Sequence, residues 1–151
     1  MLKLRKLKHN SELLKCIDIA IEVSKPYAVF PVDLNHSKKV IRSYLQEYLR
    51  IIEKEEEMVG FISAIPFEPF PYSSKVVLTT TFYQVNLKGY LAAKALVMAM
   101  DNLFKYAESK RYEAVMTSSV LPNCKSYQRI LIKHGWTLHC NNLVRKTRHY
   151  R

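Results

Sequence analysis

The stretch from Lys75 to Ser109 constrains the fold more than any other part of the chain. Val76-Val77-Leu78-Thr79-Thr80-Thr81-Phe82-Tyr83 is dominated by β-branched and aromatic residues. Such side chains suit a pleated surface, so they predict a central strand over residues 75–85. The break Asn86-Leu87-Lys88-Gly89 follows. From residue 90 to 109, Ala92, Ala93, Ala95, Leu96, Ala99, Met100, Leu103, Phe104 and Ala107 recur at helical spacing and form one broad apolar face. A long one-sided helix after a strong strand needs a sheet to cover, which sets the class as α/β.

The remaining elements fall around this unit. Leu2, Leu4 and Leu7 interleave with Lys and Arg as an edge strand does, and Asn10 or Ser11 caps a helix that runs to Ser24 and is stopped by Pro26. Residues 27–34 read as a loop. A second amphipathic helix over 35–49 carries Val40, Ile41, Tyr44, Leu45 and Tyr48 on its apolar side. Residues 50–53 and 58–65 flank the acidic turn Lys54-Glu55-Glu56-Glu57 as an antiparallel hairpin. Pro66, Pro69 and Pro71 remove ladder donors and predict a loop over 66–72, with Phe67, Phe70 and Tyr72 exposed. A strand over 112–118, a helix over 123–134 and a hairpin of 136–140 with 143–146 around Asn141-Asn142 close the chain.

The length of 151 residues suits one domain over 1–151, and the hydrophobic fraction of 48% can supply its core. No apolar run suggests a signal peptide or a membrane span, so the expectation is a soluble, cytoplasmic protein. Cys16, Cys124 and Cys140 lack paired spacing and read as buried or idle thiols; with no helical pairing among the histidines, no metal is expected. The net charge of +11 is uneven: residues 1–75 carry 12 Lys and Arg against 10 Asp and Glu, whereas residues 76–151 carry 12 against 3. The basic C-terminal half attracts polyanions, whether nucleic acid, an acidic protein or the phosphates of a nucleotide cofactor.

In order, the elements are β, α, α, a three-strand meander, α, β, α and a closing hairpin. This order, with Asn86-Leu87-Lys88-Gly89-Tyr90-Leu91-Ala92-Ala93 after the central strand and Asn123-Cys124-Lys125-Ser126-Tyr127 leading to Lys133-His134-Gly135-Trp136, resembles the GNAT superfamily of acyl-CoA-dependent N-acyltransferases. The resemblance spans essentially the whole chain. It implies a mixed central sheet with helices on both faces, parallel fourth and fifth strands that splay apart, and a C-terminal β-hairpin. It further implies acetyl-CoA as co-substrate, with Tyr83, Gln84 and Val85 along the pantetheine arm, Leu87, Lys88, Gly89, Tyr90, Leu91 and Ala92 around the pyrophosphate, and Asn123 at the pantetheine or its helix cap.

Departures from the family pattern are as specific as the matches. Asn86 stands where the family signature has Arg or Gln, and Leu91 where it has Gly or Ala. The family's usual proton donor, a Tyr four residues before the helix-ending Gly, is replaced by Leu131, which leaves Tyr127 as the nearest catalytic candidate on that helix. Residues 75–85 hold no carboxylate to act as base, and Glu68 in the proline-rich segment is the nearest alternative. Two functions follow. One is transfer of an acetyl group from acetyl-CoA to a primary amine. The other is a catalytically degenerate GNAT-like domain that binds nucleic acid or an acidic partner through its basic half. A hybrid would be an acyltransferase docking on nucleic acid, with Phe67, Phe70 and Tyr72 available for stacking.

Overall fold

The computed structural model of the chain describes residues 1–69, 71–117, 124–138, 146 and 148. Strands β1 (Leu2–Arg5), β2 (Tyr48–Lys54), β3 (Glu57–Phe67), β4 (Val77–Val85) and β5 (Ala114–Met116) form one sheet in the order β1-β2-β3-β4-β5. The first three pairings are antiparallel and β4 with β5 is parallel. Helices α1 (Asn10–Ser24) and α2 (Leu34–Tyr44) lie between β1 and β2 in sequence, α3 (Gly89–Ser109) joins β4 to β5, and α4 (Cys124–Lys133) follows β5.

The sheet is buried on both faces, which is why its strands read as nearly continuous apolar runs. On β2, Tyr48 and Ile52 face one way, where they meet Ile62, Ala64 and Leu78 of the neighbouring strands, Leu96, Ala99 and Leu103 of α3, and Leu131 of α4. The alternate residues Leu49 and Ile51 face the other way with Phe61, against Ile17, Ala20 and Ile21 of α1 and Ile41 and Leu45 beside α2. Complete burial of a side chain such as Phe61 stabilises the fold by roughly 1.5–3 kcal/mol. The turn between β2 and β3 places Glu55 and Glu56 at φ 52° and 68°, two successive left-handed residues whose twist matches a tight hairpin.

Two boundaries differ from the sequence expectation. The second helix ends at Tyr44 rather than Leu49, because Tyr48 opens β2 opposite Ala64. There its hydroxyl donates to Asn102 Oδ1 at 2.6 Å and its ring packs on Tyr106. Strand pairing has overridden a helical spacing. The segment starting at Pro66 was expected to be a loop, yet β3 continues through Pro66 and Phe67, opposite Leu78 and Val77. β2 begins opposite Ala64, so beyond that point β3 is an edge on the β2 side, where a proline costs no ladder bond. Of the expected terminal hairpin, residues 139–145 lie outside the described residues, as does residue 118; residues 136–138 were expected to be a strand but are not in one. Cys16 is buried, which pushes its thiol up to about 12, as expected of an idle core thiol. Among the described residues no helix is long and apolar enough to cross a membrane.

The edge strand is tied to the fold by charge. Arg5 donates from Nε to Glu53 on β2, and from Nη1 and Nη2 to Glu12 at 3.1 and 2.6 Å. Glu12 also accepts from the backbone amides of Lys8 and His9, which closes the start of α1. Glu53 is fully buried, with Lys3 Nζ at 3.1 Å. The Arg5 guanidinium holds Glu12 down at about 2, and Arg5 and then Lys3 hold Glu53 below the usual carboxylate range. Folded-state values below the unfolded ones mean that this stabilisation is present above about pH 4.3 and is lost as the pH falls toward 2. Thermal melts should therefore show stability falling steeply over that acid window. Arg5→Leu should lower the neutral melting temperature and flatten the acid slope; an unchanged slope would show that the network does not govern acid unfolding.

Candidate functional site

β4 is held unequally on its two sides. On the β3 side, pairing runs from Val77 opposite Phe67 to Val85 opposite Gly60, interrupted once: Ser63 faces Phe82 and Ala64 faces Thr80, so Thr81 is an extra residue. This bulge kinks the strand and turns Tyr83 and Val85 toward the α3 and α4 face. The end of β4 approaches β3 very closely, because a Cβ on Gly60 would stand 2.2 Å from the Gln84 carbonyl oxygen and 2.8 Å from Val85 Cα. The Asn86 amide then donates to the Val59 carbonyl at 2.7 Å. On the β5 side, pairing covers only Val77 with Ala114, Leu78 with Val115 and Thr79 with Met116. From Thr80 to Val85, no described residue pairs with that edge.

The strand leads directly into a set of free amides. Lys88 is extended at φ −127° and Gly89 takes φ 59°, a left-handed conformation that glycine adopts without strain. Among the described residues, no atom other than those of its chain neighbours and its own helix backbone lies within 4 Å of the position a Cβ would occupy on Gly89. α3 has neither a side-chain cap nor an acidic residue in its first turn. Its first amides and the positive end of a 21-residue helix therefore face an open space, an arrangement that favours an anion. Leu87 and Leu91 pack into the core on either side of the turn and anchor it. That role explains a leucine at position 91.

The proposed site residues fall as follows. Tyr83, Gln84 and Val85 are half-buried on β4 beside its open edge, Lys88, Gly89 and Tyr90 are exposed at the turn, and Leu91 and Ala92 are half-buried in the first turn of α3. Tyr127 on α4 meets Tyr83 edge-on, with ring centroids 5.9 Å apart and planes at 80°. Asn123 lies outside the described residues. Leu131 is buried in the core and has no proton to offer. Glu68 is exposed to solvent. Gly135 has φ 92° and ends α4, and Trp136 packs against the core, as the sequence pattern suggests.

Sequence reasoning took the threonine run only as strand propensity. In the structure the three hydroxyls have three different fates. Thr79 Oγ1 donates to the Met116 carbonyl at 3.4 Å, the last link between β4 and β5 among the described residues. Thr81 pairs with Ser63 at 2.8 Å. Thr80 Oγ1 is buried and has no partner among the described residues, and the same holds for Tyr83 Oη. Buried unpaired hydroxyls are uncommon because desolvation is uncompensated, and both of these lie on β4 beyond its described pairing with β5. Burial, with Tyr127 nearby, pushes the Tyr83 phenol well above its ordinary value, and burial raises that of Tyr127. Both stay protonated at neutral pH. They can donate a proton but cannot serve as bases.

No protein-family profile matches the sequence, and no curated protein matches it significantly. Solved structures do match in shape. A soil-metagenome aminoglycoside acetyltransferase in complex with sisomicin superposes with a TM-score of 0.61 at 15% identity, over 99% of this chain and 97% of that one. Glucosamine-6-phosphate N-acetyltransferase from Arabidopsis thaliana gives 0.60 at 13% identity, over 97% and 98%. A Trypanosoma brucei acetyltransferase gives 0.58 at 16% identity, over 97% and 100%. This chain has the GNAT fold, in a divergent sequence.

The unpaired phenol makes a stability prediction. Tyr83→Phe removes a buried hydroxyl without a partner, so it should leave stability unchanged or raise it by up to about 1 kcal/mol in denaturant unfolding. A loss larger than that would show that the hydroxyl is satisfied in the folded protein.

Proposed function

We propose that this protein is an N-acyltransferase that moves an acetyl group from acetyl-CoA to a primary amine by direct transfer in a ternary complex. The observation that carries this reading is the open edge of β4 from Thr80 to Val85, running into the uncapped start of α3 at Gly89. A pantetheine arm has amides that match a free strand edge, and a diphosphate matches free helix amides. The pattern of strand-edge and helix-end groups thus has the same order as the parts of coenzyme A. The unpartnered Thr80 and Tyr83 hydroxyls lie where the arm would pass.

Within this reading Tyr83, Gln84 and Val85 line the arm, and Leu87 to Ala92 hold the diphosphate, with Lys88 adding positive charge. Asn123 belongs to the same cofactor set. Acetyl-CoA supplies the electrophilic thioester carbonyl; the amine nitrogen bonds to that carbon as the carbon–sulfur bond breaks. Tyr127, protonated and facing the open part of β4 through Tyr83, gives its proton to the departing sulfur. The amine loses its proton to water, since β4 carries no carboxylate. Catalysis then rests mainly on positioning, and on this reading the protein works in the cytoplasm.

Titration calorimetry should detect saturable binding of acetyl-CoA. With a competent amine acceptor, Tyr127→Phe should keep that affinity and lower kcat by roughly 10²-fold, the usual scale of a lost general acid. No binding at millimolar acetyl-CoA would overturn the assignment.

A second reading has its own support. Lys125, Arg129 and Lys133 are exposed on α4 at i, i+4 and i+8, so they line one stripe, and the position of the family acid is filled by the core residue Leu131. This basic face would dock a nucleic acid. Reversing Lys125, Arg129 and Lys133 to Glu should then weaken oligonucleotide binding and reduce its salt slope. Absence of binding at low salt would remove this reading.

A further inference from the structure

β1 is the outermost strand of the sheet on the side opposite β5, and among the described residues it pairs only with β2. Beside it, between β1 and α3, runs a groove of about 440 Å³. Leu2 and Leu4 of β1 and Met98 of α3 give it an apolar floor continuous with the core. Asp101, Asn102 and Lys105 follow Met98 at i+3, i+4 and i+7, so one stripe of α3 forms the wall. Asn102 Oδ1 accepts from the buried Tyr48 hydroxyl, which fixes the carboxamide, and its nitrogen has no acceptor among the described residues. Asp101 and Lys105 stand at i, i+4, where opposite charges commonly pair, yet neither makes an ion pair with a described residue. β1 stops opposite Ile51, so Tyr48, Leu49 and Arg50 of β2 continue the same edge. There the half-buried Arg50 lies over the Tyr48 and Tyr106 rings, 4.5 and 5.8 Å from their centroids, and donates from Nη1 to the Leu49 carbonyl. No carboxylate among the described residues pairs with it.

We infer that this edge is a docking surface for an extended acidic peptide segment of another protein, added to β1 as a further strand. Its apolar side chains lie on the floor of Leu2, Leu4 and Met98, and its carboxylates meet Lys105 and Arg50. The surface is separate from the acyl-CoA site and does not depend on it. A strand edge offers N–H and C=O groups in alternation, and a peptide matches both at the same spacing. Charge sets the kind of peptide. Glu12 and Glu53 are already engaged by Arg5 and Lys3, so at the Arg5 end Lys6, Lys105 and Arg50 outweigh Asp101. The acidic turn Glu55 to Glu57 follows Lys54, which faces Leu2, and so directs the carboxylates of the peptide to the Arg5 end. A second copy of the chain is a poorer fit, because pairing β1 with itself would set Lys3, Arg5 and Lys6 against the same cations.

The test uses the full chain and two fluorescein-labelled peptides, Glu-Val-Glu-Val-Thr-Val and the reversed Val-Thr-Val-Glu-Val-Glu, which cover both strand directions, with counterparts carrying Lys for Glu. In fluorescence anisotropy the better of the two acidic peptides should bind about tenfold more tightly than its Lys counterpart. Lys105→Glu and Arg50→Met, each checked for folding by thermal melting, should weaken it by about fivefold. Hydrogen exchange at the amides of residues 2–5 should slow when the peptide is added. No binding of either acidic peptide at millimolar concentration, equal binding of the Lys counterparts, or full protection of those four amides before peptide is added would overturn the inference. Sedimentation that shows a dimer whose formation alone protects these amides would give the edge to a second copy and overturn it equally.

Discussion

β4 is gripped by β3 along nearly its full length and by β5 along only three residues. A strand edge with unpaired amides and carbonyls is unstable in isolation, because those groups must find water, another strand or a ligand. Here the first part of the strand is fixed on both sides and the second part on one, so the open edge is rigid without being closed. The helix that follows begins where the strand ends, and two leucines press the intervening turn onto the core. Among the described residues, β5 pairs with a much shorter length of β4 than β3 does.

Chemistry at this corner has donors in excess and bases in deficit. Phenols at 83 and 127, the hydroxyl of Thr80 and the amides at the start of α3 all offer hydrogens, and no carboxylate among the described residues of β4 or α4 competes for them. Such a site suits stabilisation of developing negative charge on oxygen and sulfur. It does little to take a proton from an amine. The core residue Leu131 fills one position of α4, and the phenol of Tyr127 stands one turn before it.

The parts of this architecture that were legible in the sequence are those where local preference and burial agree. Residues 77–85, within the expected strand of 75–85, favour a strand and occupy one, and Gly89 and Gly135 take positive φ values at helix boundaries. Tyr48 was misread because its spacing from Tyr44 and Leu45 is helical, while its hydroxyl has a distant partner in Asn102 that no local pattern reveals. Pro66 was misread for the opposite reason, since its local prohibition is real but applies only where a neighbouring strand needs the amide. The bulge at Thr81 left no signal, and without it the unpaired hydroxyl of Thr80 cannot be told from its two bonded neighbours. A signal of a kind does exist in three adjacent threonines in the middle of a buried strand, which is more hydroxyl than an apolar layer normally accepts.

Gly60 lies on β3 and lines none of the candidate site, yet it determines how near β4 can come to its neighbour. The backbone at 84 and 85 rests where a side chain at 60 would be. A single methyl group there would act as a spacer, displacing the far end of β4 away from β3. The seat of that end of β4 is therefore set by an atom that is missing on the strand next door.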